Sequence, residues 1–119
     1  MPEQLPTVAA VLARARTLIE GGWTQGAFAR DARGFAVEAT ECDAVTFCMI
    51  GAIEKAAGQL WPHEHLLALM VDTEEDAKKV LARDPELADY SLSSYNDAQG
   101  RTQAEVLALF DRTLAEVAE

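Results

Sequence analysis

The residues best suited to chemistry in this 119-residue chain are grouped in one short stretch, YNDAQGRT, which begins at Tyr95. Its glycine and threonine are explained by a turn and a helix cap, and an Asn or Asp can bond backbone groups two residues ahead. Tyr95, Asn96, Asp97 and Arg101 could then present an aromatic face, an amide, a carboxylate and a guanidinium beside a helix N-terminus. That set suits a small polar ligand, including one that carries an anion. The alternative is a plain ion pair between Asp97 and Arg101 with no ligand.

A second candidate for chemistry is the thiol of Cys48. A nucleophilic cysteine needs a base and an exposed, electropositive setting. The two histidines, His63 and His65, belong to a different predicted helix, and the neighbours of Cys48 in FCMI are apolar. This pattern favours a buried structural cysteine, and we expect no catalytic residue. A small enzyme that uses Cys48 or Asp97 is the alternative.

Metal and cofactor sites are not indicated by the sequence. His63 and His65 are two positions apart, so on a helix they face away from each other, unlike the histidines of HExxH. The stretch DTEEDAKK, from Asp72, lacks the glycine and final glutamate of an EF-hand loop. Cys42 and Cys48 form no CxxC, and the sequence has no glycine-rich phosphate loop. We therefore expect no bound metal and no cofactor.

The formal net charge of -10 limits the partners of the chain. A uniformly acidic surface repels phosphate backbones, so we expect no direct binding to nucleic acid. The alternative use of this charge is an acidic DNA mimic or an inhibitor of a basic protein partner.

Apolar residues are interrupted too often to give the roughly 20 residues that cross a bilayer, and the N-terminal sequence lacks the features of a secretory signal. We expect a cytoplasmic protein with no membrane association, and the oligomeric state stays open, a homodimer included.

The elements around these candidates are predicted to be mainly helical. Between Val8 and Ile19 apolar residues recur with the helical period, after Thr7 as a cap and before two glycines as a stop. Further helical patterns follow, and the stretch from Thr102 to Glu105 matches a capping box that would start the last helix. The remaining predicted helical segments are 43–57, one that opens at Trp61–Pro62, and 74–82.

The connections between the helices carry the turn signals. Asp31 and Gly34 suit the first and last positions of a type I turn, which predicts a short β-hairpin of strands 27–30 and 35–38. The stretch 84–101 is predicted to be the longest irregular segment. Together these patterns predict one mainly α domain over residues 1–119, a bundle of four to five helices with a short β-hairpin between the first two helices.

Three blocks of the sequence, WTQGAFARDARG, FCMIGA and NDAQGRTQAEVLALF, carry a family resemblance between Trp23 and Phe110. Together they resemble a family of small uncharacterised proteins of bacteria and their phages. The resemblance implies no particular activity, and this chain has Tyr95 where the family is associated with tryptophan. The positions that the resemblance carries over are Trp23, Arg30, Asp31, Gly34, Cys48, Gly51, Ala52, Asn96, Asp97, Gly100, Arg101, Thr102 and Glu105.

These observations favour a non-catalytic binding or interaction module. The 84–101 segment, together with the 23–35 segment, would form a pocket or contact surface for a small polar ligand or a protein partner. Irregular polar and aromatic segments set against a conventional core are typical of binding sites. The predicted ligand-binding residues are Tyr95, Asn96, Asp97, Arg101, Trp23 and Arg30.

Overall fold

A computed structural model describes residues 7–61 and 67–117 of the chain. Within these ranges the fold is mainly helical, with five α-helices and one small antiparallel sheet, which confirms the predicted fold class. The stretch HEH at 63–65, where no metal site is expected, and the predicted opening of a helix beyond Trp61 fall outside the described residues. The elements, in chain order, are α1 (Val8–Gly21), β1 (Ala29–Arg30), β2 (Ala36–Val37), β3 (Thr46–Phe47), α2 (Met49–Leu60), α3 (Leu67–Leu81), a 3-10 helix (Pro85–Leu87), α4 (Leu92–Asp97) and α5 (Gln103–Val117).

Helix α1 forms as its sequence predicts and lies against α2, α3 and α5. The Thr7 hydroxyl accepts a hydrogen bond from the Ala10 N–H at 3.1 Å and so satisfies one of the free donors at the helix start. The helix buries an apolar stripe against the other helices. The members of that stripe are Val11, Leu12, Ala15 and Ile19.

The hairpin between α1 and α2 is also confirmed, with strands shorter than predicted. The Gly34 N–H donates to the Asp31 carbonyl at 2.9 Å, which closes a turn at the expected residues, and Gly34 takes a positive φ of 90°. The Asp31 carboxylate accepts from the N–H groups of Arg33 and Phe35. Burial opposes ionisation of Asp31, but these N–H bonds outweigh it and lower its pKa. The turn is therefore fixed by one side chain.

The sheet has a third strand that the prediction missed. Helix α2 begins at Met49 and not at residue 43, because β3 pairs with β1 on the side opposite β2. The Val45 N–H donates to the Arg30 carbonyl at 2.8 Å, and the Cys48 N–H donates to the Phe28 carbonyl at 3.0 Å. β-Branched and aromatic residues suit such a half-buried strand, yet the apolar run after residue 43 resembles a buried helix equally well.

Helix α3 runs without a break from Leu67 to Leu81, so the prediction of a fresh helix start at residues 72–74 is wrong. The Thr73 hydroxyl donates to the Leu69 carbonyl, one helical turn earlier, and does not act as a cap. Glu74 and Glu75 extend to Lys78, each with a carboxylate oxygen 3.1 Å from its Nζ. Pairs at these spacings support the continuous helix.

The stretch 84–101 is not irregular, contrary to the prediction. It contains the 3-10 helix and α4, and α4 starts at a reciprocal cap in which Ser91 and Ser94 each accept the other's backbone N–H. A helix of this length is not stable alone, so its burial holds it in place. The buried residues are Leu92, Tyr95 and Asn96.

The capping box of α5 forms as predicted. The Glu105 N–H donates to the Thr102 hydroxyl at 3.2 Å, and the Thr102 N–H donates to the Glu105 carboxylate at 2.9 Å. The bond from the Thr102 backbone lowers the pKa of Glu105. In the described ranges, no helix is both long and apolar enough to cross a membrane.

One carboxylate at the contact of α2 and α3 is placed in an unfavourable setting. Burial, together with the nearby charges of Glu74 and Glu38, raises the pKa of Glu54 above its usual 4.5, although Lys78 Nζ lies 3.9 Å from its carboxylate. The folded state therefore binds the carboxyl proton of Glu54 more tightly than the unfolded chain does. The contribution of Glu54 to stability falls as the pH rises through its raised pKa.

Replacing Glu54 with glutamine should remove that pH dependence. Relative to the unchanged protein, Glu54→Gln should gain stability as the pH rises from about 4 to about 7. The reason is that the Glu54 side chain of the unchanged protein becomes charged over this range, whereas the glutamine stays neutral. Urea unfolding across this range measures the difference. The matched control is Glu116→Gln, at an exposed position, and a stability difference for Glu54→Gln that stays flat with pH would contradict the prediction.

Candidate functional site

A cavity of about 590 Å³ lies between the hairpin, the start of α2 and α4. This volume is within the range of about 300 to 1,000 Å³ that is typical of small-molecule sites. Its walls come from segments that are far apart in the sequence. The lining residues are 26–28 and 36–38 from the two sides of the hairpin, Glu41, Cys48, Ile50, Ser93, Asn96 and Asp97.

Asn96 lines this cavity and joins three segments, and its side chain is buried. Its Oδ1 accepts from Trp23 Nε1 at 2.8 Å and from the Met49 N–H at 3.0 Å. Its Nδ2 donates to the Thr24 carbonyl at 3.0 Å and to Asp97 Oδ1 at 2.8 Å. The amide therefore has two donors and two acceptor positions in use, and its first role is to position α4 against α2 and the 23–26 segment.

Asp97 is the predicted site residue that faces the cavity with an available group. Its Oδ1 accepts from the Gly26 N–H at 3.0 Å as well as from Asn96, so the carboxylate is held in one orientation. The residue is exposed and lines the cavity. For Oδ2, the described part of the chain supplies no hydrogen-bond donor. Asp97 can therefore offer one oxygen to a ligand.

Tyr95 and Arg101 contact each other instead of the cavity. The Arg101 guanidinium carbon lies 3.7 Å from the centre of the Tyr95 ring, and Arg101 Nε donates to the Tyr95 carbonyl at 2.8 Å. Arg101 also pairs with Glu105 at 3.5 Å, so the alternative ion pair with Asp97 does not form. The Tyr95 hydroxyl donates to Glu86, and burial raises the pKa of Tyr95.

The stacking of Arg101 on Tyr95 should contribute measurably to stability. Arg101→Lys should lose about 1 to 2 kcal/mol of unfolding free energy, because an ammonium cannot both cover the ring and replace the Nε–H bond. Guanidinium chloride unfolding tests this. Arg83→Lys, at an exposed position, controls for the change of side-chain type, and equal stability of the two variants would contradict the prediction.

Trp23 and Arg30 hold the 23–26 segment and do not line the cavity. Trp23 donates to Asn96, and Arg30 donates to Thr24 Oγ1 at 2.9 Å and to the carbonyls of Gln25 and Gly34. Gln25, which the sequence analysis missed, donates through Nε2 to two carbonyls at the end of α4. These three side chains therefore fix the 23–26 segment, whose Gly26 lines the cavity, without lining the cavity themselves.

Cys48 is the N-cap of α2 and lines the cavity, yet its thiol is poorly suited to nucleophilic chemistry. Its sulfur accepts from the Gly51 N–H at 3.3 Å. Burial raises the pKa of the Cys48 thiol, and the charges of Asp97 and Glu54 add to the effect. A protonated thiol is a weak nucleophile. The cavity thus favours binding over a reaction at Cys48.

The charged residues of the cavity are all acidic. Glu38, Glu41 and Asp97 line it beside the apolar Phe28, Val37 and Ile50, and no basic residue lines it among the described residues. Such a surface does not suit an anion. An anionic ligand, one of the options predicted for the 95–101 stretch, is therefore not favoured in this cavity. In the described ranges, no group of acidic, histidine and cysteine side chains is arranged to hold a metal ion.

Comparison with known proteins gives one result that identifies the chain. It belongs to DUF6197, a family of unknown function, whose family model matches residues 3–116. This confirms the family resemblance at the level of an uncharacterised family. Searches of curated proteins and of solved structures give no match.

Proposed function

For this member of a family without a known activity, we propose a non-catalytic binding module whose cavity takes a ligand with a cationic group, such as an ammonium or a guanidinium. One observation carries the proposal, namely that three carboxylates and no basic side chain line a cavity of ligand size within the described residues. A buried or half-buried cation is stable only when it is paired. The cavity offers that pairing.

Asp97 is the residue expected to receive the cation. The Gly26 N–H and the Asn96 amide hold one oxygen of its carboxylate, so the other is oriented before a ligand arrives. Hydrogen bonds between a charged donor and a carboxylate are among the stronger ones in proteins. Glu38 and Glu41 add negative potential, and Phe28 and Ile50 offer apolar contact to the rest of the ligand.

The two alternative functions are less favoured. An enzyme that uses Cys48 would need an ionised thiol, whereas burial and nearby acids oppose ionisation. An acidic mimic would present unpaired carboxylates, yet Glu74 and Glu75 pair with Lys78, and Asp84 and Glu86 pair with Arg112. Part of the acidic charge is thus neutralised locally.

Thermal unfolding with three matched ligands tests the proposal. Benzylamine, benzyl alcohol and benzoate share a ring and differ in charge. Benzylamine should raise the unfolding temperature, since a ligand that binds only the folded state at a hundredfold excess over Kd adds about 2.7 kcal/mol. Benzyl alcohol and benzoate should have little effect. Equal shifts from all three would contradict the proposal.

Two variants with the same change in charge separate the cavity from the general acidity of the protein. Asp97→Asn keeps an oxygen for the Gly26 N–H and should abolish the benzylamine shift. Asp76→Asn, at an exposed position of α3 outside the cavity, should retain it. A shift that survives in Asp97→Asn would place the ligand elsewhere.

A further inference from the structure

The sheet beside the cavity has one open edge. In the strand order β2-β1-β3, β1 is central. The far side of β3 is covered, because the Phe47 N–H donates to the Gly22 carbonyl and the Phe47 carbonyl accepts from the Thr24 N–H. No strand covers the outer side of β2 in the described part of the chain. Ala36, Val37 and Glu38 all line the cavity, so this edge borders the proposed site.

The pairing of the hairpin shows which backbone groups face outward from that edge. The Asp31 N–H donates to the Phe35 carbonyl at 2.9 Å, so that pair is hydrogen-bonded across the hairpin. Bonded and non-bonded pairs alternate along antiparallel strands. The next pair, Arg30 with Ala36, is therefore non-bonded. The N–H and C=O of Ala36 point away from β1, towards the open edge.

Two exposed apolar side chains lie near this edge, Phe28 in the lining of the cavity and Phe35 directly before β2. Phe28 is 51% exposed and Phe35 is 62% exposed. Phe28 lines the cavity, so a small amine there would contact it but would leave the Phe35 ring and the backbone groups of Ala36 uncovered. An extended peptide would cover all of them, because strand addition supplies main-chain hydrogen bonds while alternate side chains enter pockets.

We propose that the ligand is an extended segment of a partner protein, which adds to β2 as a fourth strand and directs a Lys or Arg side chain into the acidic cavity. This inference rests on the proposed function, since the cavity must first bind a cation. Charge complementarity selects the occupant. The cavity is lined by Glu38, Glu41 and Asp97, and the chain has a net charge of -10, so a basic segment is attracted and an acidic one repelled.

An array of acetylated and amidated pentapeptides tests the proposal. The central residue is Lys, Arg, norleucine or Glu, and the flanking positions carry Ala, Val or Thr. Peptides with central Lys or Arg should bind at least tenfold more tightly than butylamine, measured for the best peptide by calorimetry. Single N-methylation of that peptide should weaken binding about tenfold at alternate positions only, because every second N–H faces the sheet.

A variant of the protein tests the same edge from the other side. Ala36→Pro removes the one N–H of β2 that points outward, and proline is tolerated on an edge strand when its N–H side faces solvent. This variant should bind butylamine as the unchanged protein does, but it should no longer bind the peptide more tightly than butylamine. Circular dichroism and butylamine binding show whether it is folded, and the N-methyl series remains decisive if it is not.

The outcomes separate the two proposals. Butylamine binding with no gain from any peptide overturns strand addition and leaves the cation site in place. Equal binding of the peptides with central norleucine and central Lys overturns the claim that a basic side chain enters the cavity. Binding of neither butylamine nor any peptide overturns both proposals together.

Discussion

Gly51→Ala should destabilise the protein by about 3 kcal/mol or more. A Cβ at position 51 would lie 1.9 Å from the Phe28 carbonyl oxygen and 2.8 Å from its carbon. The atoms it meets belong to the backbone of the segment that enters β1, so no side-chain rotation relieves the overlap. The same carbonyl accepts the N–H of Cys48 at 3.0 Å. The sheet must therefore move away from α2 to admit a methyl group.

Another glycine of the same helix provides the control for Gly51→Ala. Gly58 also lies in α2, and a Cβ there meets nothing within 4 Å. Gly58→Ala should stabilise the protein by up to about 1 kcal/mol, the usual helix preference for alanine over glycine. Urea unfolding of both variants measures the contrast. A Gly51→Ala protein as stable as the unchanged one would contradict the close contact between α2 and the segment before β1.

Asn96→Ala should cost about 3 kcal/mol or more of unfolding free energy. The substitution removes the acceptor for Trp23 Nε1 and the Met49 N–H, and the donor to the Thr24 carbonyl. Unpaired polar groups in a protein interior cost about 1 to 3 kcal/mol each. The total is a large fraction of the 5 to 15 kcal/mol that is typical of a folded domain.

The matched control for Asn96→Ala lies three residues earlier on α4. Ser93→Ala changes an exposed residue of the same short helix and should alter stability by less than about 0.5 kcal/mol. Guanidinium chloride unfolding, with Trp fluorescence as a probe of the Trp23 environment, compares the two variants. A small loss in Asn96→Ala, equal to that of Ser93→Ala, would show that this amide does not hold α4 in place.

Local signals in the sequence were sufficient for several elements of the fold. Thr7 and the apolar stripe predict α1, Asp31 and Gly34 predict the hairpin turn, and the capping box at Thr102 predicts the start of α5. In each case the stabilising contact joins residues within four positions of one another. Such contacts can be recognised without knowledge of the rest of the fold.

The elements that were missed depend on distant partners. Strand β3 forms because Val45 and Cys48 bond to the segment around β1, and nothing in the run itself separates a buried strand from a buried helix. Helix α4 could have been found from its Ser91 and Ser94 cap and its buried residues spaced three and four apart. Its short length hid that pattern.

The candidate site was predicted only in part. Asn96 and Asp97 lie at the cavity, whereas Tyr95 and Arg101 pair with each other and Trp23 and Arg30 support the site from behind. Glu38 and Glu41 were missed because the cavity is assembled from segments around residues 26, 37, 48 and 96. The sequence carries no signal for that assembly, and so it also gave no indication of the acidic lining.

The measurement that tests the cation site most directly is an NMR titration of the isotope-labelled protein with benzylamine. The Gly26 N–H and the Asn96 side-chain amide both donate to Asp97 Oδ1, so they report on the carboxylate that should receive the ligand. If Asp97 receives the ligand, the signals of these two groups should move together and saturate, and the effect should be absent in Asp97→Asn. Saturable shifts at other residues, with Gly26 and Asn96 unchanged, would contradict this role of Asp97.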